Sequence, residues 1–170
     1  RQEELLEGLH ALHSINNKLL PHTATKRAKA LSDADRGILF ICDWSVDKLG
    51  AVRGQKDADV SKLKIDKTSI SGCAAKMGKP MILDDPNSLR PPVPGEKPPE
   101  IREYFDEKRE STAKYTTWSM LAMPLFGPNG GVMGVIELRK TREGSTPFNE
   151  EDVKLLKHYC NIAGSLLDRG

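Results

Sequence analysis

The segment SMLAMPLFGPNGGVMGVIELRKTREGSTPFNEEDVKLLKHYCNIAGSLL, residues 119–167, constrains the fold more than any other part of the chain. Ser119 to Leu125 and Val132 to Leu138 read as two strands. Between them Gly127 to Gly131 supplies a hairpin turn, with Asn129 and Gly130 able to take positive φ. A polar loop then delivers Phe148 to an amphipathic helix. Val153, Leu156, Cys160, Ala163 and Leu167 form one apolar face of that helix, and Leu155, Tyr159, Ile162 and Leu166 form another. One face suffices for a core. The second predicts deep burial or a partner helix, and the N-terminal helix of the same or another chain would satisfy it.

The upstream sequence supplies more strands for the same sheet. Ile38 to Asp43 (ILFICD) is continuously apolar until its last residue, as expected of a central strand covered on both faces. WSVDKLGAVRG reads as a turn and a returning strand, and Lys62 to Ile65 as the next. Thr68 and Ser69 can cap a helix, SISGCAAKMG, that stops at Gly78, after which Pro80 precedes the short strand MILDD. Residues 86–99 concentrate proline and polar residues and predict an extended loop, more readily a tolerated insertion than a recognition segment for proline-binding partners. IREYFDEKRESTAKYTTW predicts a helix or two leading into Ser119.

Near the N-terminus Leu5, Leu9, Leu12 and Leu19, with Asn16 completing the alternating spacing, form a short heptad seam with a polar member. Asparagine at such a position fixes register between two parallel helices, so residues 1–20 are expected to be a connecting or dimerisation helix. The same pattern also suits a helix packed on its own domain, and both readings stand. Pro21 is expected to end this helix, with a second helical stretch from Ala24 to Leu31 and an exit at SDADRG. Residues 21–170 then make one domain, ending in a C-terminal connecting helix.

Composition excludes several classes. The 170 residues suffice for one well-buried core and are short for two. Basic and acidic residues, 26 and 24, are mixed along the chain, so no basic stripe predicts nucleic-acid binding. No apolar run approaches the roughly 20 residues that span a bilayer, and RQEELLEGLH has no signal-peptide core. The chain begins and ends in helical sequence without an initiator Met, as expected of a module inside a larger protein. Cys42, Cys73 and Cys160 are odd in number, widely spaced and without CxxC, which predicts a reducing, cytoplasmic setting. His10 and His13 stand one helical turn apart, but no histidine or cysteine spacing predicts a metal site.

In order and in motifs the chain resembles a GAF domain from Ala30 onward. SDADRGILFICD is similar to the entry to that family's first central strand. SISGCAAKMGKPMILDD is similar to its pocket segment, and MLAMPLFGPNGGVMGVIEL to its hairpin. The resemblance implies an α+β, three-layer α/β/α fold: an antiparallel central sheet with a terminal-helix layer on one face and pocket helices and loops on the other. GVIELRK and HYCNIAGSLL most resemble the regulatory GAF domains of cyclic-nucleotide phosphodiesterases and related cyclases. That resemblance implies a ligand over the sheet, with Ile70 and Ser71 presenting backbone groups. Glu110, Thr112, Thr116 and Thr117 would surround phosphate and base, Glu137 would be a strand acid facing the site, and Tyr104 or Phe105 would stack on the base. Arg53 falls where an aromatic would close the pocket. The family's Asn-Lys, Phe and paired-acid signature is matched by Arg139 and Lys140, by Phe148 and by Asp152, with Val153 in place of the last acid. A structural clasp of Lys140, Phe148 and Asp152 is therefore implied.

The function so implied is a non-catalytic, small-molecule-sensing regulatory module of a larger signalling protein. Its leading ligand is cyclic GMP or cyclic AMP, and it needs no cofactor. Closure of Pro91 to Trp118 over the ligand would shift the terminal helices of a homodimer toward an effector domain in the same chain. The alternative is a ligand-free dimerising spacer, in which Trp44 and Trp118 are core or interface anchors. A third reading is a redox sensor or enzyme using Cys73; Cys42 and Cys160 read as packing residues. STAKYTTW has no Cys or His to hold a tetrapyrrole, the histidines lie away from the pocket, and no Ser-His-Asp order, HExxH or P-loop sequence offers another chemistry.

Overall fold

The computed structural model describes residues 20–52, 62–66, 68–83 and 117–168. The described elements are helix α1 (Leu20–Ser32), strands β1 (Arg36–Asp43), β2 (Lys48–Ala51) and β3 (Lys62–Lys64), helix α2 (Ile70–Met77), strands β4 (Met81–Leu83), β5 (Ser119–Phe126) and β6 (Val132–Lys140), and helix α3 (Glu150–Asp168). Among the described residues, several helix ends are held by local devices. Asp33 (φ 57°) takes the left-handed turn that closes α1, and the Ala34 N–H reaches back 3.0 Å to the Lys29 carbonyl. Aspartate is among the few residues that take that conformation as single residues, and the Asp33 carboxylate faces Arg142 at 3.4 Å. Gly78 (φ 64°) closes α2 by donating to the Ala74 carbonyl at 2.9 Å. At the start of α3 the Asp152 N–H donates to Asn149 Oδ1 (3.0 Å), while the Asn149 N–H donates to Asp152 Oδ2 (3.1 Å). This reciprocal capping box, with Glu150 and Glu151 beside it, sets acids against the positive end of the helix.

The strands form one six-stranded sheet in the order β3-β2-β1-β6-β5-β4, with every neighbouring pair antiparallel. Alternation divides its side chains between two cores. On one face Leu39, Leu121, Met123, Leu125, Ile136 and Leu138 pack with Ala24, Ala28 and Leu31 of α1 and with Leu156, Tyr159, Cys160 and Ala163 of α3. On the other face Ile38, Phe40, Leu49, Met120, Ala122 and Val135 pack with Ile70, Ala74 and Ala75 of α2. The layers are thus helix, sheet and helix, the expected α+β architecture.

The second apolar face of α3 finds part of its cover within the chain. Tyr159 is fully buried and donates its hydroxyl to the Ala24 carbonyl of α1 at 3.1 Å, while Leu155 and Ile162 are half-buried at the edge of that core. Pro21 lies in the first turn of α1 as described, where its missing N–H has no intrahelical acceptor to lose, and the helix it is expected to end lies outside the described residues. Trp44 is not a core anchor. It is 49% exposed in the β1–β2 turn and donates its indole N–H to the Val132 carbonyl at 2.7 Å. Residues 1–19 and 86–99 lie outside the described residues.

Burial pushes the Cys160 thiol from its ordinary 9.0 up to about 12. The folded state therefore holds this proton after the unfolded chain has released it. Stability from this group is complete below pH 9.0 and is lost as pH rises from there toward about 12. In urea denaturation followed against pH, the wild type is expected to lose stability across that window more steeply than Cys160→Ala. Equal slopes would refute the assignment.

Candidate functional site

The α2 face of the sheet carries a buried polar network at the C-terminal end of β6. It begins with the alternation of that strand: Glu137 and Arg139 are two residues apart, so both side chains leave on the same face, while Leu138 and Lys140 leave on the other. Cross-strand neighbours make the setting of Glu137 apolar, since Ile38 and Ala122 flank it on β1 and β5. A carboxylate there is costly unless paired and hydrogen-bonded. Arg139 supplies the pair: its Nε donates to Glu137 Oε1 at 3.0 Å, and Nη2 lies 2.9 Å from the same oxygen. Ser71 donates its hydroxyl to Oε2 at 2.6 Å. Arg139 Nη1 reaches the hydroxyl of Thr117 at 2.9 Å. All four side chains are buried.

Ser71 reaches Glu137 because α2 starts where it does. Ser69 caps the helix, its hydroxyl accepting from the Gly72 N–H at 2.9 Å, and the first turn lies against the exit of β3. Gly72 makes that approach feasible, since a Cβ there would stand 2.2 Å from the Lys64 carbonyl oxygen. The helix thereby lowers Ser71 onto β6. Ile70, the other α2 residue expected at the site, puts its side chain into the core of this face.

On the opposite face, the end of the same strand seats α3. Lys140 is buried, donates to the Thr146 carbonyl at 2.6 Å and stands 4.8 Å from the centre of the Phe148 ring. The Phe148 N–H donates to Ser119 Oγ (3.0 Å), and the Trp118 N–H to the Lys140 carbonyl (2.7 Å). Asp152 is buried one turn into α3, its carboxylate on the Asn149 N–H. Of the expected clasp residues, Lys140 thus stands over the Phe148 ring, while Asp152 is engaged with the Asn149 cap.

Of the expected ligand-binding residues, the structure brings together Ser71, Thr117 and Glu137, with Ile70 beside them. Arg53, Tyr104, Phe105, Glu110, Thr112 and Thr116 lie outside the described residues. The sequence reading missed Arg139 as the centre of the network. It grouped Arg139 with Lys140, whereas strand alternation, the signal that could have found it, puts them on opposite faces. The described cysteines are dispersed: Cys160 belongs to the helix-layer core, Cys42 packs against the α2-side core, and Cys73 is buried on α2. Burial raises the thiol of Cys42 to about 11, so it is protonated at neutral pH. Among the described residues, no group of His, Cys, Asp or Glu could hold a metal ion, and no helix is long and apolar enough to cross a membrane.

A two-sided antiparallel sheet of this order, with helices α1 and α3 on one face and a capped short helix over a polar network on the other, defines a three-layer α+β domain. The GAF domain family matches residues 20–167, and the chain belongs to that family of regulatory sensor modules. Its fold is similar to that of the GAF domain of an Acinetobacter phosphoenolpyruvate-protein phosphotransferase (TM-score 0.72, 12% identity, covering 99% of this chain and 92% of that one). It is similar also to the corresponding GAF domain from Coxiella burnetii (TM-score 0.71, 16% identity, 98% and 94% covered). A third similar structure is a free methionine-R-sulfoxide reductase from Neisseria meningitidis in complex with its substrate (TM-score 0.68, 15% identity, 98% and 87% covered). At such identities the likeness concerns the fold alone. No curated protein matches the chain in sequence.

Proposed function

We propose that this GAF domain is a non-catalytic, small-molecule-sensing regulatory module of a larger signalling protein, most like the phosphodiesterase and cyclase regulators, with cyclic GMP or cyclic AMP as its leading ligand. The observation that carries this reading is the Ser71–Glu137–Arg139–Thr117 network, a set of buried donors and acceptors on the sheet face opposite the terminal helices. A ligand over this face meets polar groups already held in position, which lowers the ordering cost of binding it. Thr117 and Arg139 adjoin Trp118 and Lys140, whose contacts seat Phe148 and the start of α3. Ligand contact on one face is thereby linked to the position of the helix on the other. A ligand with different affinities for two seatings of α3 shifts their populations, and a dimer of terminal helices would carry that shift to an effector.

Isothermal titration with cyclic GMP and cyclic AMP tests the reading, repeated with Glu110→Ala and Thr117→Ala. Saturable binding is expected, weakened up to about tenfold by Thr117→Ala for one lost hydrogen bond. Absence of heat with either nucleotide at millimolar concentration would reject them as ligands. One observation favours a second reading, the ligand-free dimerising spacer: both oxygens of Glu137 are already engaged by groups of the chain itself. Sedimentation of a dimer without nucleotide binding would support it. Reductase chemistry would rest on Cys73 of α2 with a second thiol beside it; burial raises the thiols of Cys42 and Cys160, and Cys160 lies across the sheet from α2, which favours the non-catalytic reading.

A further inference from the structure

At the far end of β5 from this network the sheet edge splays open. The β4–β5 pairing runs from Leu83↔Met120 to Met81↔Ala122 and stops. Continued by one and two residues, it would set Pro80 opposite Met123 and Lys79 opposite Pro124. Neither proline has an N–H to lend to a ladder, and Gly78, at positive φ, turns the chain away toward α2. The wedge left behind is a cleft of about 210 Å³. Lys79 and Pro80 form one wall, Pro124 and Phe126 the floor, and Lys157 and Asn161 of α3 the other wall. It runs into a shallower trough of about 470 Å³ that shares Phe126, Lys157 and Asn161 and continues past Pro128 and Ser165. Lys157, Asn161 and Ser165 follow one another at four-residue steps, so they form a single polar stripe along α3.

Three properties of this groove select its occupant. Its deep part is smaller than the roughly 300–1,000 Å³ of small-molecule sites, yet large enough for an apolar side chain. Its continuation along α3 suits an elongated chain better than a compact ligand. Its lining carries lysine on both walls and no acid, over an apolar floor. The wall cannot close by a shift of α3, which already lies tight on the hairpin: a Cβ on Gly164 would stand 2.6 Å from the Phe126 carbonyl oxygen.

We propose that this splayed β4–β5 edge, walled by Lys79 and Lys157, is a docking groove for an acidic peptide segment of a partner protein, with an apolar residue seated on Phe126 and Pro124. Opposite charge on the two sides steers such a segment and sets its orientation, while the apolar floor holds it. The groove does not overlap the Glu137–Arg139 network, so the inference stands whatever ligand that network takes.

The test uses the 170-residue chain and a short, end-blocked, fluorescein-labelled peptide alternating leucine and glutamate, with a leucine–lysine peptide as its counterpart. Fluorescence anisotropy is expected to show saturable binding of the acidic peptide only. Amide shifts in NMR are expected to centre on Phe126, Lys157 and Asn161, and the double variant Lys79→Glu/Lys157→Glu to weaken binding by about tenfold or more. The proposal is overturned if the acidic peptide does not bind, if the lysine peptide binds equally well, if the double variant binds unchanged, or if the shifts fall elsewhere. It is also overturned if benzoate alone reproduces the shifts, since the occupant would then be a small anion. Far-ultraviolet circular dichroism of the double variant is expected to match the wild type, both lysines being exposed.

Discussion

Arg139→Ala is expected to cost about 3–5 kcal/mol of unfolding free energy, the range found when one partner of a buried ion pair is removed. The loss exceeds what the contacts themselves contribute, because Glu137 is left charged between Ile38 and Ala122 without its guanidinium partner. The reverse deletion carries its own penalty. Arg36 stands directly opposite Arg139 in the β1–β6 pairing, and like charges so placed repel unless an acid lies near. Glu137→Gln is therefore also expected to destabilise, by less, since glutamine keeps a carbonyl oxygen for the Ser71 hydroxyl. Removing both charges together in Glu137→Gln/Arg139→Met should recover much of the single-variant loss, as apolar replacement of buried pairs often does. Urea denaturation of the three variants decides the matter. A cost below about 1 kcal/mol for Arg139→Ala would place the pair among ordinary solvated ones and remove its claim to organise the site.

These charges also mark where the sequence was legible and where it was not. The hairpin, the central strand and the capped helix over Ile70–Met77 were readable from apolar runs and their punctuation: Ser69, Gly78 and, in the hairpin, Gly130 (φ 81°), where Asn129, expected to share the positive φ, does not take it. The strand ends were read short. β1 begins at Arg36 and β6 continues to Lys140, whereas hydropathy places the limits at Ile38 and Leu138. Arg36, Arg139 and Lys140 look like exits to water, yet the ladder continues through them, Arg36 pairing with Arg139 and Ser119 with Lys140. Only tertiary partners make that possible. For Arg139 they include Glu137 and Thr117; for Lys140, the Thr146 carbonyl and the Phe148 ring. Strand alternation announces Glu137 as a neighbour of Arg139, but the other contacts need the folded chain. The site was half readable: resemblance singled out Ser71, Thr117 and Glu137, but the residue joining them required knowledge of which face each strand residue takes.

Gly72→Ala is expected to destabilise the domain by about 3 kcal/mol, at the upper end for overpacking, although helix propensity alone favours alanine by about 1 kcal/mol. The added Cβ would meet the Lys64 carbonyl oxygen at 2.2 Å, the Asp66 carbonyl oxygen at 2.9 Å and the Ser69 hydroxyl at 2.9 Å. Two of these are backbone atoms at the exit of β3, so no side-chain rotation relieves the clash. The first turn of α2 has to lift from the sheet. Ser71 is the next residue, and its 2.6 Å hydrogen bond to Glu137 lengthens or breaks when the turn lifts. The substitution therefore acts on the site as well as on stability, and the two effects separate experimentally. Lys76→Gly, at an exposed position of the same helix, lowers propensity by about 1 kcal/mol without a clash and without moving the first turn. Hydrogen exchange should then show faster exchange of the α2 amides in both variants, with increased exchange in β6 around Glu137 only in Gly72→Ala. If Gly72→Ala instead raises the urea midpoint, the close approach of α2 to β3 is wrong, and with it the reason Ser71 stands over Glu137.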